Sequence, residues 1–338
     1  MEPELTEPVD LCLPDGTLNR AAVGWSRHPL QRCNLSGRWL RKKRWDFWGV
    51  ICDTHLLRLT YASLDYFGLL TMGLLVFDTR QRFEQMQVVP FGRGMRFPER
   101  PGGTDIHCTT GNSRLAISET PESTRLVMEC RSRAGRHLEA DVLVARPAGH
   151  ETLNVVIPWN DRCFQFTSKQ NTRPATGAAV LDGATYSFGP ANHAYGVLDY
   201  GRGVWPYRTT WNWGAANGTQ NGRLIGLNLG GQWTDGTGAT ENGLCIDGRL
   251  HKISEDLEWR YDRSNWERRW HIRTPGSDRV ALTFTPMIVE SNHLNLLLLG
   301  TELHWALGRF SGAVVSDQGE RIVIDALLGW AEEHCARW

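Results

Sequence analysis

The chain has 338 residues, and its 37 basic and 37 acidic side chains cancel. A balanced charge excludes the general electrostatic attraction that drives binding to nucleic acid, so any charged partner must be recognised locally. The length allows one large domain or two ordinary ones, because a single core stops growing near about 250–300 residues.

The opening, Met1 to Pro8, is acidic and interrupted by proline, without the positive start and apolar stretch of a secretory signal; the expected location is the cytoplasm, with peripheral contact at the inner membrane as a variant. Pro14, Asp15-Gly16 and Pro29 mark the first 40 residues as an extended arm packed on the body. Next comes Gly37 to Val50, where Arg38, Arg41, Lys42, Lys43 and Arg44 stand among Trp39, Trp45, Phe47 and Trp48. This segment reads either as a solvated basic loop beside a core strand or as a membrane contact through Arg41, Lys42, Lys43 and Arg44. Asp46, between aromatic residues, is a candidate buried acid, and Trp48 a candidate contact to an apolar ligand.

Beyond this point the dominant period is two, which sends alternate side chains to opposite faces of a strand. Leu57, Leu59 and Tyr61 alternate with Arg58 and Thr60; Leu126, Met128 and Cys130 with Val127, Glu129 and Arg131; Leu138, Ala140, Val142 and Val144 with Glu139 and Asp141; Leu257, Trp259 and Tyr261 with Glu258, Arg260 and Asp262. The runs Leu69 to Phe77 and Leu294 to Leu299 are too short to span a bilayer and read as core strands. Asp105 and His107 share a strand face as a cross-strand polar pair or an acid and base. Asp182-Gly183, Asn221-Gly222 and Asp247-Gly248 are among the dipeptides that accept the positive φ angles of tight hairpins. Such repeated hairpins predict an all-β barrel or sandwich in two consecutive antiparallel modules, residues 1–205 and 206–338. Leu327, Trp330, Ala331, His334, Cys335 and Trp338 recur at helical spacing and predict one short C-terminal helix.

Eight scattered cysteines show no spacing suited to zinc, so reduced, mostly buried thiols and no metal are expected. No nucleophile elbow, phosphate loop, complete GxGxxG or HExxH occurs, and no cofactor is expected. Fifteen tryptophans suggest aromatic platforms or a lined cavity as well as a core.

The densest unusual segment runs from His193 to Gly214. In a strand beginning near Thr209, Trp211 and Trp213 form one apolar wall with Asn212 opposite. Asp199 stands before it in an apolar strand, where burial would favour its protonated form and make it a proton donor. The alternative is turn chemistry, with Asp199 accepting backbone N–H groups of Gly201 to Gly203 and pairing with Arg202. His193 is either an ordinary surface histidine or a catalytic partner within this segment.

Trp45-Asp46-Phe47-Trp48, Asp199-Tyr200-Gly201-Arg202-Gly203 with Trp211-Asn212-Trp213, and Gly329-Trp330-Ala331-Glu332-Glu333-His334 resemble, nearly end to end, a bacterial family known as domain of unknown function 2804. The order of Asp199, a Trp-x-Trp strand and the hairpin Glu241 to Gly248 is similar to the carotenoid hydratase group, whose tandem lipocalin-like barrels act on isoprenoid or polyene substrates. That group carries Asp-His where this chain has Asp199-Tyr200, and Trp-Asp-Trp where it has Trp211-Asn212-Trp213. The resemblance implies two lipocalin-like β-barrels, Asp199 as the remaining acid, and Trp205, Tyr207, Trp211 and Trp213 lining a cavity and stabilising a carbocation.

The function expected first is a cofactor-free hydratase, isomerase or cyclase acting on an apolar unsaturated lipid or isoprenoid. Its catalytic residues would be Asp199 and His193, with Trp205, Tyr207, Trp211, Asn212, Trp213, Asp46, Trp48 and Arg202 at the ligand. A lipid or pigment carrier is the second reading. A carbohydrate-active or carbohydrate-binding protein, with Asp199 and Glu241 facing each other across an open groove, is the third.

Overall fold

In the computed structural model, residues 2–338 are described. The arm contributes short strands β1 (Val9–Asp10), β2 (Trp25–Ser26) and β3 (Gln31–Arg32). The first module follows with β4 (Lys42–Ile51), β5 (His55–Ser63), β6 (Phe67–Val76), β7 (Arg82–Pro90), β8 (Ile106–Thr110), β9 (Ser113–Glu119), β10 (Ser123–Arg131), β11 (His137–Ala145), β12 (Leu153–Pro158), β13 (Phe164–Leu181), β14 (Ala184–Phe188) and β15 (Tyr195–Val204). The second contains β16 (Arg208–Gln220), β17 (Arg223–Gly231), β18 (Asn242–Ile246), β19 (Arg249–Ile253), β20 (Glu258–Arg260), β21 (Trp270–Arg273), β22 (Val280–Asn295), β23 (Gly300–Val315) and β24 (Arg321–Arg337). Among the described residues no helix is long and apolar enough to cross a membrane.

The first sheet runs β7-β6-β5-β4-β15-β13-β11-β10-β9-β8 and curls into a nearly closed barrel. The second runs β19-β18-β17-β16-β24-β23-β22-β21-β20 and forms a half-barrel. The two-residue alternation does what it predicts. Leu57, Leu59, Tyr61, Leu126, Met128, Cys130, Leu138, Ala140, Val142 and Val144 all point into one core inside the first barrel. Ile225, Leu227, Leu229, Trp270, Ile272, Leu282 and Phe284 fill the second. Asp182-Gly183, Asn221-Gly222 and Asp247-Gly248 each hold two consecutive positive φ angles at the tips of β13–β14, β16–β17 and β18–β19, matching the twist of the flanking strands. No disulfide forms; five of the eight cysteines are buried.

Two expectations are corrected. The predicted C-terminal helix is β24, a strand of 17 residues between β16 and β23. Its inner face meets the half-barrel core and much of its outer face meets the first barrel, so both faces carry apolar residues and the alternation that marks a half-buried strand is lost. Leu294 to Leu299 is no core strand: it forms the tip of the β22–β23 hairpin, with Leu297 94% exposed. The arm does pack on the body, where Glu2 pairs with buried Lys252 at 2.6 Å.

The modules press their outer sheet faces together. Arg58 of β5 pairs with Glu290 of β22 across this junction at 2.9 Å. Gly201 of β15 lies beneath the Trp45 ring: a Cβ there would stand 2.2 Å from the indole and 2.5 Å from Gln165 Nε2. Gly201→Ala should therefore cost about 1–3 kcal/mol by overpacking. A urea denaturation midpoint equal to that of the parent protein would refute this.

Candidate functional site

Directly paired residues of neighbouring antiparallel strands share a face, so register alone assembles the surfaces that meet between the barrels. From the first barrel come the rows Lys169–Asp199–Phe47 and Thr167–Gly201–Trp45, on β13, β15 and β4. From the half-barrel come Trp211–His334–Leu303, Trp213–Glu332–Trp305 and Ala215–Trp330–Leu307, on β16, β24 and β23. The Phe47 ring meets Trp213 edge-on at 5.7 Å, and the Lys169 ammonium lies 4.4 Å from the Trp213 ring centre.

Charge concentrates at this contact. Lys169 Nζ is buried between Asp199 Oδ1 at 2.9 Å and Glu241 Oε2 at 3.0 Å. Burial opposes the lysine charge, and the two carboxylates more than offset it, so the ammonium is held above its ordinary range. Asp199 also accepts from Thr167 Oγ1 at 3.2 Å, and Glu241 from Trp233 Nε1 at 2.8 Å.

Opposite them, Glu332 accepts from Trp211 Nε1 at 3.0 Å. Burial pushes its carboxyl up to about 7; the Trp211 hydrogen bond and Lys169 oppose the rise, while Asp199 and Glu241 add to it. Two residues along the same face, the His334 ring lies tilted against Trp211 at 4.2 Å and meets Thr301 Oγ1 through Nε2 at 2.5 Å. Burial pushes this imidazole down to about 3, leaving it neutral. Glu332, His334, Trp211, Phe47, Trp45 and Leu303 are deep in the structure yet each keeps some accessible surface. Phe47, Trp211 and Leu303 pack against Trp213, Trp330 and Leu307, so the two sheet faces meet in an apolar seam whose outer members keep partial exposure.

Several predicted site residues reach this seam. Trp205 is buried, stacks on Trp233 at 5.1 Å and lies 5.6 Å from Trp211, while its Nε1 donates to Gln165 at 2.7 Å. Trp211 and Trp213 do form one wall before Asp199. Asp199, however, is not a solitary acid: it faces outward from the first barrel and is ion-paired with Lys169, not with Arg202 or its own turn. Its side chain and that of Glu241 share one ammonium instead of facing each other across an open groove.

Other residues lie elsewhere. His193 is exposed and paired with Asp53 at 2.8 Å. Tyr207 is exposed, its hydroxyl donating to the Leu298 carbonyl at 2.6 Å. Asn212 points into the half-barrel and donates to the Tyr261 hydroxyl at 3.0 Å, beside a groove of roughly 550 Å³ at that barrel's mouth. Asp46 and Arg202 pair with each other at 2.6 Å on the inner side of the first barrel, and Trp48 belongs to its core. The cations of the basic segment turn inward: Lys42 and Arg44 pair with Asp65, Lys43 lies over Tyr66, and Arg41 donates to the Trp205 carbonyl. On the outer face of the first barrel, Glu129, His137 and Glu139 bring ligand atoms within 4.8 Å of one another and could hold a metal ion. His137 and Glu139 stand two apart on β11, and cross-strand register brings Glu129 beside them.

Sequence reasoning missed Lys169, Glu332 and His334. The signal for the last two was their spacing of two, hidden while the segment read as a helix.

The raised affinity of Glu332 for its proton has a definite linkage consequence. The folded chain holds this proton up to about pH 7, whereas the unfolded carboxyl releases it near 4.5. Its contribution to stability therefore falls as pH rises from 4.5 to about 7. His334 acts oppositely, stability being lost as pH falls below 6.5, so the comparison must be between Glu332→Gln and the parent. The variant should gain stability relative to the parent between about pH 5 and about pH 8, read as urea midpoints; parallel profiles would exclude a buried neutral Glu332.

No curated protein matches the sequence. Among solved structures, kievitone hydratase from Nectria haematococca is 10% identical, with 88% of this chain and 89% of that chain covered and a TM-score of 0.47. CghA with Sch210972 is 11% identical, with 88% and 89% covered and a TM-score of 0.41. An AttH candidate from Nitrosomonas europaea is 10% identical, with 98% of each chain covered and a TM-score of 0.44. The sequence itself is decisive: residues 2–338 match the domain of unknown function DUF2804, and the chain belongs to that family.

Proposed function

We propose that this protein is an acid catalyst that takes an apolar, unsaturated lipid or isoprenoid into the seam between its barrels. The observation that carries this reading is Glu332, a partly accessible carboxyl at the seam between the barrels that accepts from the indole N–H of Trp211 and is pushed by burial up to about 7. An acid tuned near the working pH is the most effective proton donor to a weakly basic group such as a carbon–carbon double bond.

Protonation would leave a carbocation on the substrate. The π faces of Trp211, Trp45 and Phe47 at the seam suit a cation. Asp199 and Glu241 flank the ammonium of Lys169 behind these rings, and their carboxyl oxygens would stabilise a cation forming nearby. Loss of a neighbouring proton would then give an isomer, attack by an internal double bond a ring, and attack by water an alcohol. In the last case the proton that the attacking water gives up returns to the Glu332 carboxylate, a stronger base than His334, whose imidazole burial holds down to about 3, and the acid is restored.

The test is to incubate the protein with polyenes and isoprenoids in deuterated water and read carbon-bound deuterium and added water by mass spectrometry. The parent should label its substrate, and Glu332→Gln should label it at least ~100-fold more slowly, the scale of general acid catalysis. Labelling should also decline as pH rises through about 7, where the carboxyl loses its proton. Equal rates in Glu332→Gln and the parent would overturn the assignment.

A further inference from the structure

The β22–β23 hairpin ends in a cluster of leucines that the fold does not use. Leu294, Leu296, Leu297 and Leu298 are 52%, 51%, 94% and 69% exposed around a turn closed by the Leu296 N–H on the Leu299 carbonyl at 2.8 Å. Leaving so much contiguous aliphatic surface in water is unfavourable, and such patches mark a binding surface.

The surroundings identify what covers it. Arg337 reaches under the turn, its guanidinium donating to Asn295 Oδ1 and the Leu296 carbonyl at 2.8 Å each, while its buried Nε finds no protein partner. Directly opposite in register stands exposed Arg208. Like charges facing each other across a sheet repel, and among the described residues neither makes an ion pair. Glu302, the nearest carboxylate in the hairpin, is bonded to His304. Tyr207, 40% exposed, bonds the Leu298 carbonyl, and its own carbonyl accepts from Trp338. Trp338 touches Trp205, whose carbonyl accepts from Arg41 in the turn that carries Trp39, 72% exposed. Aliphatic residues at a convex tip, collared by unpaired arginines with tyrosine and tryptophan beside them, match the layering of a bilayer: hydrocarbon, interface, anionic head groups.

We propose that the leucine tip inserts into an anionic membrane surface, with Arg208 and Arg337 on the head groups. The strands that carry the tip and this arginine row continue into the seam. Glu332 lies five residues along β24 from Arg337, about 17 Å at the rise of a strand; the odd spacing puts it on the other face, toward the first barrel, so a molecule leaving the bilayer would pass from the strand ends to that face to reach the acid. This delivery role rests on the reading of the seam given above; the docking itself does not.

The full chain, sedimented with vesicles of phosphatidylcholine containing about a third phosphatidylglycerol, should bind, and bind less as salt is raised. Replacing Leu297→Asp and Leu298→Asp together should weaken binding at least tenfold with an unchanged melting temperature, since both side chains lie outside the fold. Arg208→Glu should remove the preference for anionic over pure phosphatidylcholine vesicles. Absence of binding by the parent, or equal binding by the leucine variant, overturns the proposal. So does a parent dimer that the leucine variant loses, found without vesicle binding. Turnover of detergent-dispersed substrate is read separately and should be unaffected in the leucine variant, so docking and catalysis can fail independently.

Discussion

Moving an ammonium group out of water costs several kcal/mol, and a protein tolerates it only where opposite charge and hydrogen bonds replace the lost hydration. Lys169 meets that condition with carboxylates drawn from both halves of the chain, Asp199 on β15 and Glu241 just ahead of β18. Neither barrel alone could bury this lysine. The junction therefore has a polar specificity that apolar packing among Trp213, Trp330 and Phe47 would not supply, because indole and phenyl rings can slide over one another far more readily than an ammonium can leave two carboxylates. Glu332 keeps its proton chiefly because burial disfavours its charged form; Asp199 and Glu241 add to that effect, and the Trp211 hydrogen bond and Lys169 oppose it.

The barrels themselves are filled. The alternating aliphatic residues of β5, β10 and β11 close the first interior, and Trp270, Phe284 and Phe310 occupy much of the second. The buried charged groups Lys169, Asp199 and Glu241 lie instead where the outer faces of the two sheets meet. This differs from a ligand-holding barrel whose lumen is the site, and it explains why Asp199, on the outward side of β15, is flanked by the inward-facing Leu198 and Tyr200.

The fold class was legible because half-buried strands advertise themselves: Leu126, Met128 and Cys130 against Val127, Glu129 and Arg131 leave little choice of face. Hairpin dipeptides such as Asp247-Gly248 placed the turns. The site was only partly legible. Asp199 and the Trp211/Trp213 wall could be found by their local pattern, but the partner of Asp199 lies 30 residues earlier in a strand with no distinguishing motif, and only register brings the two together. β24 was illegible for a different reason, being covered on both sides. The leucine tip misled because a short apolar run has the same composition in a core as at an exposed turn; what separates the cases is the closing hydrogen bond between Leu296 and Leu299.

Glu332 and Glu333 are sequence neighbours with opposite fates. The first turns toward the first barrel, while the second turns into the half-barrel, where Arg263 pairs with it at 2.6 Å and Tyr261 donates to it. The alignment that separates them is locked at Gly329, which lies against Ala215 so closely that a Cβ would stand 2.2 Å from its carbonyl oxygen. Insertion or deletion of a single codon between these points would exchange the two carboxylates and disable both surfaces at once. The length of this short stretch, more than the chemical identity of most of its residues, keeps the two carboxylates on their separate faces.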